Sequence, residues 1–324
     1  MRKRIRVTDS AAACSRGNAA RFRLFLSILF LTVFCDIGIA IGGGRVVVLS
    51  EPNASIYQQA VTGFQQGFAG AGEVQQVRMS GDPQQLDSQI AALRKNPPNL
   101  LVAIGTEAAL AAKNRLRGVP ILYCLVVRPV QNKLVGQDIG GIKLNVGLSE
   151  QFANIQKALP GIRSIGVVYD EIATGSTVRQ ARRYLNPGVR LVARDVRNAR
   201  EAAEAISGMA GTIDAYWLLL DGVVANPANF KLLVEFSIAN KVALISPSVP
   251  FVAAGALLSV EADYLETGRK TAKMARDILD GKARAGDFVA EAPIGPVLTV
   301  NAEVARRLGI TIPHHIPASI LSPP

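Results

Sequence analysis

Gly255–Gly281, GALLSVEADYLETGRKTAKMARDILDG, holds a short apolar strand, an acidic and aromatic turn, and a long amphipathic helix closed by a glycine. A brief unbroken apolar run suits a strand buried on both faces. The 3.6-residue spacing that follows suits a helix with one face turned inward. One strand feeding one helix is the repeating unit of α/β proteins, and the rest of the chain repeats it.

Upstream, strands are expected at 45–50, 74–79, 100–104 and 120–127, with helices at 54–69, 82–95 and 107–116 between them. A glycine-rich bend at 136–147 precedes a second series: helix 149–159, strand 164–169, helix 176–185, strand 189–196, helix 199–209, strand 215–220, helix 227–240 and strand 243–247. Downstream, 297–308 reads as one more strand and helix. Strands rich in Val, Ile and Leu, without polar alternation, imply parallel sheets covered on both faces. The fold expected is α/β, with two doubly wound parallel-sheet lobes. Such sheets bind ligands beyond the carboxyl ends of their strands, so two facing lobes would share one cleft.

The 324 residues allow two lobes, and the 49% apolar and 19% charged fractions exclude a disordered chain. The N-terminus differs in composition. Arg2, Lys3, Arg4, Arg6, Arg16, Arg21 and Arg23 precede the 12-residue apolar run Leu24–Cys35, and Gly38-Ile39-Ala40 offers a small-residue cleavage site. This is the pattern of an export signal over 1–40, and the run is short for a bilayer span. The same stretch also reads as an uncleaved anchor, because apolar residues resume after Asp36 through Ile41. Phe34 before Cys35 argues against lipid attachment. The segment carries seven basic and two acidic residues, so the net charge of +11 falls to +6 without it. The arginines from Arg179 to Arg200 read as a solvated face, and no aromatic-interleaved basic motif points to nucleic acid. With Cys14 and Cys35 in the signal, Cys124 stands alone in an apolar strand and reads as a buried structural thiol.

No Gly-x-Ser-x-Gly, His-Glu-x-x-His, Cys-x-x-Cys or Walker lysine motif occurs. The only histidines, His314 and His315, lie in a Pro-rich tail. Gly42–Gly44 precedes the first strand and so cannot serve as a phosphate turn. Neither a cofactor nor a metal is expected, and no enzymatic role. A secreted α/β enzyme is the weakest of the alternatives.

The Gly255–Gly281 segment resembles the late portion of the periplasmic substrate-binding proteins of ABC transporters, in the tryptophan- and tyrosine-uptake family. Four further stretches carry the likeness: Glu51-Pro-Asn with Ala60–Phe68, Val102–Ala112, Leu159–Tyr169 and Val300–Ile310. The resemblance implies a type I binding-protein fold with three hinge crossings, near 142, 251 and 283. The first lobe would hold 41–142 and 251–282, the second 143–250 and 283–313, and 314–324 would be a tail. It further implies a monomeric, periplasmic protein that takes an amino acid or other small carboxylate to an inner-membrane ABC permease. A periplasmic sensor docking on a receptor, or a member that no longer binds solute, fits the same fold.

On that resemblance the ligand-binding residues are Glu51, Asn53, Gly105, Thr106, Arg128, Lys143, Tyr169, Asp221, Ser246 and Glu261. Gly105-Thr106 would stand at a helix N-terminus suited to a ligand carboxylate, or Thr106 would only cap that helix. Asp221 would meet a ligand amine or be a turn aspartate. Tyr169 would stack on the ligand or fill the core, and Ser246 would donate to the ligand or merely break the chain before Pro247. Relatives usually show a small hydroxyl and an acid before the proline at Val126-Val127-Arg128-Pro129, and Gly-Val-Ser at Gly141-Ile142-Lys143. If Arg128 and Lys143 face the cleft, the ligand is more anionic than a neutral amino acid; if they face outward, they are surface drift.

Overall fold

The computed structural model of the protein describes residues 44–52 and 55–321, so the export signal expected over 1–40 and Asn53 lie outside the described residues. The chain opens with β1 (Val46–Ser50), α1 (Ser55–Phe68), β2 (Val74–Arg78), α2 (Pro83–Lys95), β3 (Leu100–Ile104), α3 (Thr106–Arg115), β4 (Ile121–Val126) and β5 (Ile139–Lys143). These strands form a five-stranded parallel sheet in the order β2-β1-β3-β4-β5. Side chains alternate across it with the two-residue period of a strand. Val46 and Val48 pack under α1 with Phe64 and Phe68, while Val47 and Leu49 pack under α2 and α3 with Ile90 and Ala109.

The second lobe follows with α4 (Leu148–Ala158), β6 (Ser164–Tyr169), α5 (Glu171–Ala181), β7 (Arg190–Asp195), α6 (Ala199–Ser207), β8 (Ala215–Trp217), α7 (Pro227–Asn240), β9 (Ala243–Ser246) and α8 (Val249–Ala253). It is completed by β10 (Leu258–Glu261), β11 (Val297–Asn301), α10 (Ala302–Leu308) and β12 (Ser319–Leu321). The sheet order is β12-β11-β10-β9-β8-β6-β7. Its strands run parallel except where β11 meets β10 antiparallel, with Leu258 opposite Val300. Phe152 packs edge-on against Trp217 in the core of one face.

The decisive segment is split. Its strand β10 pairs with β9 in the larger sheet, whereas its helix, α9 (Tyr264–Leu279), covers the smaller one. Ala272, Met274 and Ala275 of α9 join the core that holds Phe64 and Phe68. The two helices meet almost backbone to backbone: a Cβ on Gly63 would stand 2.0 Å from the Leu265 carbonyl oxygen, and one on Gly268 2.2 Å from that of Ala60. After α9 the chain stays with the first lobe, since Gly141 donates its amide to the Phe288 carbonyl at 2.6 Å and Lys143 to that of Glu291 at 3.0 Å.

The crossings therefore fall at 144–147, 262–263 and 292–296, instead of near 142, 251 and 283. Residues 251–261 lie with the second lobe and 283–291 with the first, the reverse of the sequence expectation. The apolar strand Leu258–Glu261 finds its partner in β9, and the glycine face of α9 finds its partner in α1. The second and third crossings are tied together, because Asp263 donates its amide to the Ile294 carbonyl at 2.8 Å.

Several elements differ from expectation, among them α8, where no helix was expected, and β8, which stops at Trp217. β5 lies inside the stretch read as a bend. Its glycines are there for closeness: a Cβ on Gly140 would meet the Ala285 carbonyl oxygen at 2.1 Å, and one on Gly141 that of Tyr123 at 1.9 Å. α5 starts five residues before the expected 176, because Asp170 accepts the amides of Ile172 and Ala173 and so fixes the N-terminus. The expected tail contributes β12, which closes the sheet edge beside β11. Among the described residues no helix is long and apolar enough to cross a membrane.

Candidate functional site

The expected residues that the structure describes sit at the carboxyl ends of the two sheets and at the crossings, and of them only Glu261 lines the cavity described below. Glu51 leaves β1 and turns its carboxylate into the N-terminus of α3, where Oε1 accepts the Glu107 amide at 2.6 Å. Gly105 permits this approach: its φ is 104°, and a Cβ there would stand 2.4 Å from that same oxygen. Free N–H groups and the helix dipole make such an end a natural anion seat. Here the protein's own carboxylate fills the seat expected for a ligand. Thr106 is the first residue of α3, Gly105 being the cap, and its hydroxyl accepts the Val127 amide at 2.9 Å. It thereby fixes the loop after β4 instead of capping the helix.

Tyr57 lies beside Glu51, and burial, reinforced by the nearby carboxylate, pushes its phenol up to about 12. Burial also holds Glu51 above the usual carboxylate range, against the pull of the helix amides. Sequence reasoning passed over Tyr57, which continues the apolar stripe of Ala60, Val61, Phe64 and Phe68 and so looks like core.

Arg128 projects toward the second lobe, where Nη2 donates to the Ala173 carbonyl at 2.7 Å. Lys143 ends β5 at the first crossing; its side chain is half-buried, and its backbone is held by Glu291. Two positions are taken up by the protein's own framework. Asp221 is only 6% exposed: Oδ1 accepts the Val224 amide at 2.7 Å, while Oδ2 accepts the Thr174 hydroxyl at 3.1 Å and the Asp170 amide at 3.3 Å. That carboxylate ties its own turn to the start of α5, which is the work of a turn aspartate, and is not open to a ligand amine. Ser246 is buried, and its hydroxyl donates to the Leu258 carbonyl at 3.1 Å, so it pins β9 to β10. Tyr169 is half-buried against the lobe's core, and burial, with the Glu171 carboxylate nearby, lowers the acidity of its hydroxyl.

Glu261 lies at the end of β10, on the middle crossing. Oε2 accepts the Tyr264 hydroxyl at 2.8 Å, and Oε1 accepts the Val249 amide at 3.0 Å. Burial raises its pKa, the donors Tyr264, Val249 and Ser259 offsetting part of that rise. It lines a cavity of about 340 Å³ that Ser55, Ile56, Gln59 and Tyr264 of the first lobe share with Val249 and Thr299 of the second. Ligand pockets commonly measure about 300–1,000 Å³, so this one suits a single small molecule. Among the described residues no group of three or more His, Cys, Asp or Glu could hold a metal.

Comparison with known proteins gives the same architecture. A tyrosine-binding protein of Clostridioides difficile is 24% identical over 219 residues, 65% of this chain and 63% of that relative, less than two thirds of its length. A ligand-free, open substrate-binding protein with adhesive properties from Clostridium difficile superposes with a TM-score of 0.74 at 21% identity, covering 87% of this chain and all of that one. An ABC domain in complex with L-Trp from Streptococcus pneumonia gives 0.62 at 22%, covering 86% and all of it. Identities this low carry the fold. Over residues 46–321 the sequence matches the family of ABC transporter substrate binding proteins, and the chain belongs to that family.

Proposed function

We propose that the protein captures an amino acid or other small carboxylate between its lobes and presents it to a membrane permease. The observation that carries this reading is the 340 Å³ cavity, which draws its walls from α1 of one lobe and from α8, β10 and β11 of the other, beside the middle crossing. A solute held there touches both lobes. It therefore shifts the balance between open and closed forms by its different affinity for each, with no covalent chemistry. The relatives that bind tyrosine and L-Trp support an amino acid as the solute. The pattern of residues 1–40 supports export, and a monomer suits a carrier that docks transiently on its permease.

A thermal-shift screen of the purified protein against amino acids, small carboxylates, purines and peptides tests the reading. A ligand at about 100 times its Kd adds ~2.7 kcal/mol to the stability of the native state alone. That corresponds to an upward shift of about 5–10 °C for a chain of this size. A saturable shift with amino acids is expected. No shift with any class, in folded protein freed of co-purified ligand, would remove the solute-capture reading.

A further inference from the structure

The cavity between the lobes is bordered by two carboxylates, Glu261 and Asp263, and among the described residues that line it there is no lysine, arginine or histidine. Neither Arg128 nor Lys143 belongs to its walls, so the two cations that would favour a more anionic solute lie elsewhere. A solute carboxylate would find only neutral side-chain donors there, among them the hydroxyls of Ser55 and Thr299 and the amide of Gln59. A positive group would find two acids.

The two acids are not equivalent. Asp263 caps α9, its Oδ1 accepting the Glu266 amide at 2.9 Å. Glu261 and Asp221 are the buried carboxylates among the described residues, and of this pair only Glu261 borders the cavity. Its Oε1 accepts the Val249 amide at 3.0 Å and the Ser259 hydroxyl at 3.4 Å, while Oε2 accepts the Tyr264 hydroxyl at 2.8 Å. A carboxylate oxygen has two lone pairs to offer, so Oε2 keeps one for a further donor. The Tyr264 hydroxyl comes from α9 of the first lobe and the Val249 amide from α8 of the second, so the group is held in place from both sides of the middle crossing. All of these donors are neutral. Burying a carboxylate without a counter-charge is costly, and burial already raises the pKa of Glu261; an ammonium beside it would relieve the first effect and reverse the second.

We propose that Glu261 is a specificity-determining residue that receives the ammonium group of the captured solute at Oε2, so that the cavity reads the amine of an amino acid more than its acid. The proposal rests on the solute-capture reading and narrows it, because a small carboxylate without an amine becomes a poor ligand. Hydrogen bonds between ionised partners are about twice as strong as neutral ones, and a glutamine at the same place offers its oxygen without the charge.

Titration calorimetry tests it with L-tyrosine, with hydroxyphenylpropionate, the same molecule without its amine, and with tyramine, which lacks the carboxylate, together with the matching set of L-tryptophan, indolepropionate and tryptamine. The wild type is expected to bind each amino acid about tenfold or more tighter than its amine-free acid, and each amine tighter than that acid. Glu261→Gln should lose the preference by weakening the amine-bearing ligands alone. Asp263→Asn, which still caps α9, should keep it. A cooperative thermal melt shows that each variant is folded, and the wild-type comparison needs no variant. Amine-free acids bound as tightly as the amino acids by the wild type, an unaltered preference in Glu261→Gln, an equal loss of all ligands in that variant, or a preference lost in Asp263→Asn instead overturns the proposal and leaves solute capture standing. A wild type that binds none of the six removes the amino-acid reading and the proposal together.

Discussion

Gly268→Ala should unseat α9 from α1. The added methyl would stand 2.2 Å from the Ala60 carbonyl oxygen and 2.9 Å from the Phe64 nitrogen, where non-bonded contact needs about 3.5 Å. The helices must part by about 1 Å, because backbone lies on the far side of the contact and no side chain can rotate away. Overpacking of this kind costs about 1–3 kcal/mol, and the better helix propensity of alanine returns about 1 kcal/mol. Since both close atoms belong to the backbone, the upper end of the cost applies and the net loss is about 2 kcal/mol. That corresponds to a fall in melting temperature of about 4–8 °C. Differential scanning calorimetry reads it directly. Gly208→Ala is the control: it caps α6 at a φ of −68° with nothing nearer than 3.4 Å, and it should change stability by less than about 0.5 kcal/mol. Gly63→Ala combined with Gly268→Ala should cost less than the two single changes together, because one separation relieves both clashes. A Gly268→Ala protein melting at or above the wild-type temperature would refute the close-packing argument.

Further outcomes follow from the site. Asp221→Ala strips a buried carboxylate from three donors and should cost about 2–4 kcal/mol in urea unfolding; an unchanged midpoint would mean that those loops do not depend on it. Glu51→Ala removes the anion from the start of α3 and should destabilise by about 1–2 kcal/mol, read as a lower melting temperature. Burial raises the pKa of Glu261 in the folded state above its ordinary 4.5, so the folded form holds a proton that the unfolded chain releases. Its contribution is fully present below about pH 4.5 and is lost as pH rises through the folded value. The stability of the wild type relative to Glu261→Gln should therefore be most favourable near pH 4 and decline toward pH 7, and a flat difference across that range would contradict the assignment. Cys124 is fully buried, and its thiol is pushed up to about 12 by that burial; it should resist iodoacetamide in the native protein and react in denaturant.

The strand and helix sequence was legible because its signals are local. Leu100–Ile104 and Ser164–Tyr169 are unbroken apolar runs, and Pro227–Asn240 carries a capping Asn226 and a proline in its first turn. β5 was not legible, since Gly140 and Gly141 signal a bend unless the neighbouring carbonyls are known to press against them. The crossings were misplaced for a related reason: whether Leu258–Glu261 pairs with β9 or joins the smaller sheet is a question of register between distant segments. In the site, the place of the chosen residues at strand ends was legible and their partners were not. Glu51 and Gly105 were both singled out, yet the bond that joins them to one function spans 56 positions from Glu51 to Glu107. Asp221 and Ser246 were singled out for their place at strand ends, which loop-tying groups share with ligand-binding ones.

The division of Gly255–Gly281 between two lobes also sets the order in which the molecule can be finished. The five strands of the first sheet are all made by residue 143, but the face bearing Val46, Phe64 and Phe68 is covered only when Ala272, Met274 and Ala275 arrive. Contacts of such long sequence separation form slowly and leave apolar surface uncovered in the meantime. A growing chain stopped anywhere before 264 would thus carry an intact small sheet with one side covered by α1 alone. The lobe synthesised first waits for its last covering helix until most of its partner has been made, and the partner is in turn closed by β11, α10 and β12.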